Sequence, residues 1–272
     1  MMNMIASVIE SFSNLLHIAI KKHNLFPINQ LNLKQMKKFI LLFALIFCIS
    51  GQAQTVFNVR NFQVEWKDMN SFLELNDNFY GDIEFDSGGL VIDWYRIGSE
   101  DFNIRIGRYG DMNNWGIKTE RTEYEGPHFW TRRSQYIADS GKSYAGTVVY
   151  NQGDGSKHNT QQRWYLKVED PEQFVKAFKT FLNENKKVFG NRWISLVAYT
   201  VGNPNGATHS VAMSAEGWTE LERVRAEVFA NGSAEKFINS RGNVEDIHNV
   251  VYQRMRHYNN QRNKSKTYAD MW

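Results

Sequence analysis

The stretch that decides the fold opens Arg163-Trp-Tyr-Leu-Lys-Val168-Glu-Asp170-Pro171-Glu172 and runs on to Trp218. Trp164–Val168 carries aromatic and β-branched residues and reads as a strand. Asp170-Pro171-Glu172 marks a helix start. An acid at the N-cap accepts backbone N–H bonds, and proline at the first helical position lacks an N–H that would have no helical partner there. Phe174, Val175, Phe178, Phe181 and Leu182 then lie on one face of that helix, and Gly190 ends it. Trp193–Val201 has few polar residues, as in the centre of a sheet. Gly202-Asn-Pro-Asn-Gly206 turns the chain, Ala207–Met213 returns, and Trp218–Ala230 is a second helix with Leu221, Val224 and Val228 in register.

A weaker copy of this pattern lies upstream. Asn58–Trp66 reads as a strand, and Asp68 caps a helix through Met69–Tyr80 with Phe72, Leu75 and Phe79 at helical spacing. Gly88-Gly89 breaks the chain before the apolar strand Leu90–Ile97. Gly98-Ser-Glu-Asp turns, and Phe102–Ile106 comes back as alternating Phe/Ile and Asn/Arg. Trp115–Ile137 is helical in composition, broken in two at Gly126-Pro127, and Ser143–Asn151 ends in the β-branched run Thr147-Val-Val-Tyr150. Val64, Tyr95 and Gly98 match Val168, Tyr199 and Gly202 at a separation of 104. Trp115 matches Trp218 at 103, Ile137–Gly141 matches Ile238–Gly242 at 101, and Thr147–Asn151 matches Asn249–Gln253 at 102. Asn249–Met255 has spacing that suits a helix or a strand, and its match to Thr147–Asn151 favours the strand.

The chain therefore divides into a unit over 54–152, a linker over 153–162 in the loop-like run that begins at Asn151, a second unit over 163–258 and a polar tail over 259–272. Each unit is βαββαβ, the ferredoxin-like order. Two such units in tandem resemble the dimeric α+β barrel superfamily, here with both halves of the barrel supplied by one chain over roughly Val56–Tyr258. A plain two-domain α+β protein is the structural alternative. The superfamily includes cofactor-independent monooxygenases, haem-handling barrels and members with no known chemistry, and fold does not choose among them.

Upstream of the units, Met36-Lys-Lys38 precedes the apolar run Phe39–Ile49 and the small-residue site Ser50-Gly-Gln-Ala53. This is the pattern of a signal peptide over 36–53, with about 11 apolar residues against the ~20 of a membrane span. A start at Met36 then makes 1–35 an upstream extension, with Met1 as the alternative start. Cleavage near Ala53 implies a bacterial periplasmic or secreted protein with no membrane span in the mature chain. Of the 32 basic and 29 acidic side chains, five lysines and one glutamate lie in 1–53, which leaves 27 and 28. The mature chain is near neutral and offers no electrostatic reason to bind nucleic acid. Its single cysteine, Cys48, lies in the leader, so thiolate, disulfide and cysteine–metal chemistry are excluded from the units.

Candidate site residues come from strand parity and from differences between the units. His209 alternates with Val211 and Met213 on one strand face, and an inward histidine there would suit catalysis or a haem axial ligand. The break at Gly126–Arg133 carries His128, Trp130 and Arg132, a set suited to a cavity mouth that holds an aromatic or anionic ligand. Asp93, Tyr95 and Arg105 lie on strands of the first unit, and Tyr199 matches Tyr95. No histidine pair has metal-ligand spacing, so no metal site is expected. These features favour an exported small-molecule-binding or accessory protein with its cavity between two ferredoxin-like sheets, with no cofactor required. The first alternative is a cofactor-independent monooxygenase or isomerase in which His209, His128 and Tyr95 or Tyr199 polarise the substrate. The second is a haem-binding barrel. A monomeric pseudo-dimer and a homo-oligomer are both open.

Overall fold

A computed structural model describes residues 54–98, 101–154 and 158–260. The extension over 1–35, the leader over 36–53 and the tail beyond residue 260 lie outside the described residues. In chain order the elements are β1 (Thr55–Val64), α1 (Met69–Tyr80), β2 (Gly89–Ile97), β3 (Ile104–Asp111), α2 (Glu125–Ser134), β4 (Ile137–Ser140) and β5 (Tyr144–Gln152). They continue as β6 (Thr160–Val168), α3 (Pro171–Glu184), α4 (Lys186–Phe189), β7 (Ile194–Val201), β8 (His209–Ala215), α5 (Trp218–Ala230), α6 (Ser233–Ser240) and β9 (Val244–Asn259). No helix among the described residues is long and apolar enough to cross a membrane.

The fold is mixed α+β, built on one large antiparallel sheet in the order β3-β2-β9-β6-β8-β7-β5-β1-β4. Strand β1 also pairs with β3, from Thr55 opposite Asp111 to Phe62 opposite Ile104. The eight strands from β3 to β1 therefore close on themselves, and β4 lies beside the end of β1. The early and late parts of the chain meet twice in this ring, where β2 pairs with β9 and β5 pairs with β7. A closed sheet has no free edge, and its side chains alternate between interior and exterior.

Helices cover the outside. Helices α1 and α2 pack on Phe62, Leu90, Ile92, Ile104 and Ile106, while α3, α5 and α6 pack on Leu166, Val168, Leu196 and Met213. Helix α3 begins as its sequence dictates: the Asp170 carboxylate accepts the Gln173 backbone N–H at 3.0 Å, with Pro171 in the first turn. Its buried face holds Phe174, Ala177, Phe178 and Leu182. Truncating Phe174, which is fully buried, to alanine would cost roughly 3–5 kcal/mol. Gly98 and Gly202 both have positive φ, 85° and 69°. An added Cβ would fall 2.4 Å from the Asn249 carbonyl oxygen at Gly98 and 2.3 Å from that of Ser143 at Gly202. Both positions need glycine for the same two reasons, conformation and close approach.

Several expectations change. Only Glu125–Ser134 of the span Trp115–Ile137 is helical. Pro127 starts that helix and does not break it, because its missing N–H falls in the first turn. The preceding segment runs beside Phe85, where Ile117 forms a bridge and the Lys118 N–H donates to the Glu84 carbonyl at 2.7 Å. Ile137 belongs to strand β4 and Ile238 to helix α6, so that match is not structural, and α6 itself was not foreseen. Trp115 is likewise outside any helix, while Trp218 opens α5. Asn249–Met255 is strand, inside β9, because partners on both sides satisfy its backbone. Tyr95 pairs with Tyr252 and Tyr199 with Gly146, so these strands correspond at 106 and not 102. Strand β9 runs on to Asn259, the first residue of the expected tail, and the Asn260 amide bonds both the N–H and the carbonyl of Phe85, at 2.8 and 2.6 Å.

Candidate functional site

Inside the ring, strand alternation sets what faces what. A cavity of about 680 Å³ is lined by Phe57 and Val59 of β1, Val91 of β2, Arg105 and Tyr109 of β3, Val148 of β5, Arg163 of β6, Val197 of β7, and Arg254 and His257 of β9. Seven of the eight ring strands thus reach the cavity, which places it within the sheet. Its volume is that of a small-molecule site.

Beyond the cavity the interior is filled by tyrosines. The Tyr144 and Tyr165 hydroxyls are 3.1 Å apart, and those of Tyr165 and Tyr252 are 2.6 Å apart. Tyr95 donates to Asn61 Oδ1 at 2.9 Å, and its ring meets that of Tyr252 edge-on at 4.8 Å. The Tyr199 hydroxyl lies 2.8 Å from the Ser210 hydroxyl. Burial pushes Tyr95, Tyr165 and Tyr252 well above the ordinary phenol range, and Tyr199 up to about 12. All four are therefore neutral hydrogen-bonding groups at physiological pH.

Between cavity and tyrosines sits a buried ion cluster. Arg105 Nη1 donates to Asp93 Oδ2 at 2.5 Å, and Arg254 Nε donates to Asp93 Oδ1. Asp93 is wholly buried. Burial opposes its charge, but Arg254 and Arg105 outweigh that and hold its carboxyl below the usual carboxylate range. Strand register makes the cluster: Asp93 faces Arg105 across the β2–β3 pair and Arg254 across the β2–β9 pair, where a bulge after Ile92 shifts the register. Arg163 stands apart, its Nη1 donating to the Ser210 hydroxyl at 2.9 Å. At the cavity wall the Tyr109 hydroxyl is 2.7 Å from His257 Nε2.

The residues singled out from the sequence divide into four groups. Asp93 and Arg105 come together at the cavity floor, while Tyr95 and Tyr199 belong to the tyrosine layer. His209 does not face the interior. It is 6% exposed, its ring centroid lies 6.3 Å from that of Phe174 on α3, and its Nδ1 is 2.9 Å from the Thr208 hydroxyl. The residues that alternate with it, Val211 and Met213, pack under the helices, so parity grouped them correctly but on the outer face. Burial lowers the His209 pKa, which keeps it neutral. His128, Trp130 and Arg132 lie on α2 outside the ring and do not line the cavity. Phe129 and Arg133, four apart, form the buried face of α2; His128, Trp130 and Arg132 are on the exposed one. Arg163, Arg254, Tyr109 and His257 were missed. For Tyr109 the signal was its parity with Arg105 on β3; the other three lie on β6 and β9, far along the chain. Among the described residues, no three His, Cys, Asp or Glu side chains gather to hold a metal ion.

No family model matches the chain, and no curated protein matches it. Solved structures do resemble it. A Fusobacterium nucleatum protein provisionally assigned as a monooxygenase superposes with a TM-score of 0.53 at 14% identity, covering 76% of this chain and 95% of its own. A Lactobacillus acidophilus protein with the same provisional assignment gives 0.49 at 10% identity, covering 76% and 96%. A haem-binding protein from Thermus thermophilus gives 0.43 at 10% identity, covering 75% and 94%. At such identity the likeness to the Fusobacterium protein speaks for the fold alone, a mixed α+β fold whose neighbours are dimeric α+β barrels.

The ion cluster has a measurable consequence. Asp93→Ala strands Arg105 and Arg254 without their carboxylate and is expected to lower unfolding free energy by roughly 3–5 kcal/mol in urea titrations at pH 7. Because the Asp93 pKa is lowered by folding, its contribution is present above its ordinary value of 3.8 and is lost as pH falls through its native value. In Asp93→Asn the acid limb of the stability profile should be correspondingly flatter.

Proposed function

We propose that the protein binds a small organic molecule inside the barrel, and that one chain builds the whole barrel from two tandem βαββαβ units, residues 54–152 and 163–258. The observation that carries the ligand reading is the division of the interior. Tyrosines fill one part, while the other is an open cavity where Phe57, Val59, Val91, Val148 and Val197 stand among polar side chains and Arg105, Arg163 and Arg254 converge. The reciprocal pairings β2–β9 and β5–β7 support the tandem reading, since each joins the second strand of one unit to the last strand of the other.

A second reading, proton-transfer or cofactor-independent oxygenase chemistry, is favoured by Tyr109 and His257. Their 2.7 Å contact at the cavity wall gives a hydroxyl and an imidazole able to share a substrate proton. A haem reading finds less support. His209, the axial candidate, is turned under α3, and His257 Nε2 already contacts the Tyr109 hydroxyl and, at 3.2 Å, the Asn259 amide. These histidines do not fit an axial ligand. Export after cleavage near Ala53 belongs to the same proposal.

Val148→Trp, at the cavity wall, should abolish binding of 2-naphthol as read by tryptophan fluorescence, with the circular dichroism spectrum unchanged. Binding that persists in this variant would place the probe elsewhere. Oxygen consumption with a quinol substrate, lost in Tyr109→Phe and His257→Asn, would establish the second reading; no consumption by the wild type counts against it. N-terminal sequencing of the native protein should begin at Gln54, and a sequence that begins near Met1 overturns the cleavage.

A further inference from the structure

We propose that the ligand is an organic carboxylate, its anionic group held by Arg163 and Arg105 and its hydrocarbon body by Phe57, Val59, Val148 and Val197. This rests on the cavity being a ligand site, and adds the ligand's charge. The argument begins with unmatched positive charge. Arg105, Arg163 and Arg254 line the cavity, and the one buried carboxylate among them is Asp93. Both Asp93 oxygens are engaged, one by Arg105 and one by Arg254. One negative charge thus serves two guanidiniums, and the third has none. The excess is two positive charges, and adding Arg108 and Asp154 at the rim leaves it unchanged.

Arg163 is the sharpest case. It is 6% exposed, and no ion pair among the described residues includes it. Its Nη1 contact is to the neutral hydroxyl of Ser210, and its buried Nε has no hydrogen-bond partner. Arg105, equally buried, also has an unpartnered Nε. The two guanidiniums line the same cavity. Buried cations without an anion are costly, and two fork-shaped donors beside one cavity are matched by a planar carboxylate. An anion there would supply the missing hydrogen-bond partners and an opposing charge. The rest of the wall indicates the body of the ligand: Phe57, Val59, Val91, Val148 and Val197 stand among neutral polar groups such as Gln161 and Ser195, without lysine or a glycine-rich phosphate cradle, which favours a carboxylate on a hydrocarbon frame over a phosphate ester.

The test is isothermal titration of the wild-type protein with 2-naphthoate and with 2-naphthamide, its neutral counterpart of the same shape. The naphthoate should bind about tenfold or more tightly than the amide. In Arg163→Gln that preference should disappear while the amide affinity stays within about twofold, which also shows that the variant is folded. Equal affinities in the wild type would overturn the carboxylate inference and leave the cavity reading intact. Binding of neither compound would overturn the cavity reading itself. A preference that survives in Arg163→Gln removes Arg163 from the proposal. The wild-type pair decides the charge preference even if the variant does not fold.

Discussion

Closure of the sheet is the constraint on which the rest depends. Once β1 pairs with β3, no strand of the ring has a free edge, and every residue of every strand is assigned to the interior or to the helix-covered outside. The outside is a conventional apolar core in two parts, one under α1 and α2 and one under α3, α5 and α6. The inside carries the tyrosines and arginines. Polar side chains can be placed there because the ring interior offers them one another, as Asp93, Arg105 and Arg254 show.

That interior is not uniform. Hydroxyl-to-hydroxyl contacts among Tyr144, Tyr165 and Tyr252, and between Tyr199 and Ser210, satisfy the buried phenols and leave no charge to balance. The arginines occupy the other part, where the cavity opens. Desolvation makes the difference between the two regions consequential. A neutral phenol deep in the barrel needs only a hydrogen bond, while a guanidinium needs an opposing charge. The ion cluster meets that need for part of the positive charge, and the remainder lines the cavity.

The location of the site contrasts with the parts of the sequence that looked unusual. The break at Gly126–Arg133 stood out because it had no counterpart downstream, yet it is a short helix on the outer surface. Pro127 was read as an interruption, but a proline in a first turn begins a helix. His209 was assigned to the correct alternating set, but strand parity alone does not say which set points inward. The closed interior here accepts Asp93, Arg105 and Arg163, while the apolar set faces the helices.

Local pattern determined the elements. Aromatic and β-branched runs, the cap at Asp170, and the turns at Gly98 and Gly202 encode strands, helix start and chain reversals through interactions within a few residues. Asp93 and Arg105 were also legible as a polar pair on neighbouring strands, because a short hairpin joins them. Arg254, Arg163 and His257 were not legible as partners of that pair. They come from β6 and β9, far along the chain, and meet it only when β9 pairs with β2 and β6 together. The bulge in β9 sets which of its residues face Asp93, and no local propensity specifies that register. Short-range chemistry is written in neighbouring residues; the facing of a side chain in a closed sheet is decided by strands distant in sequence, and only the tertiary structure brings them together.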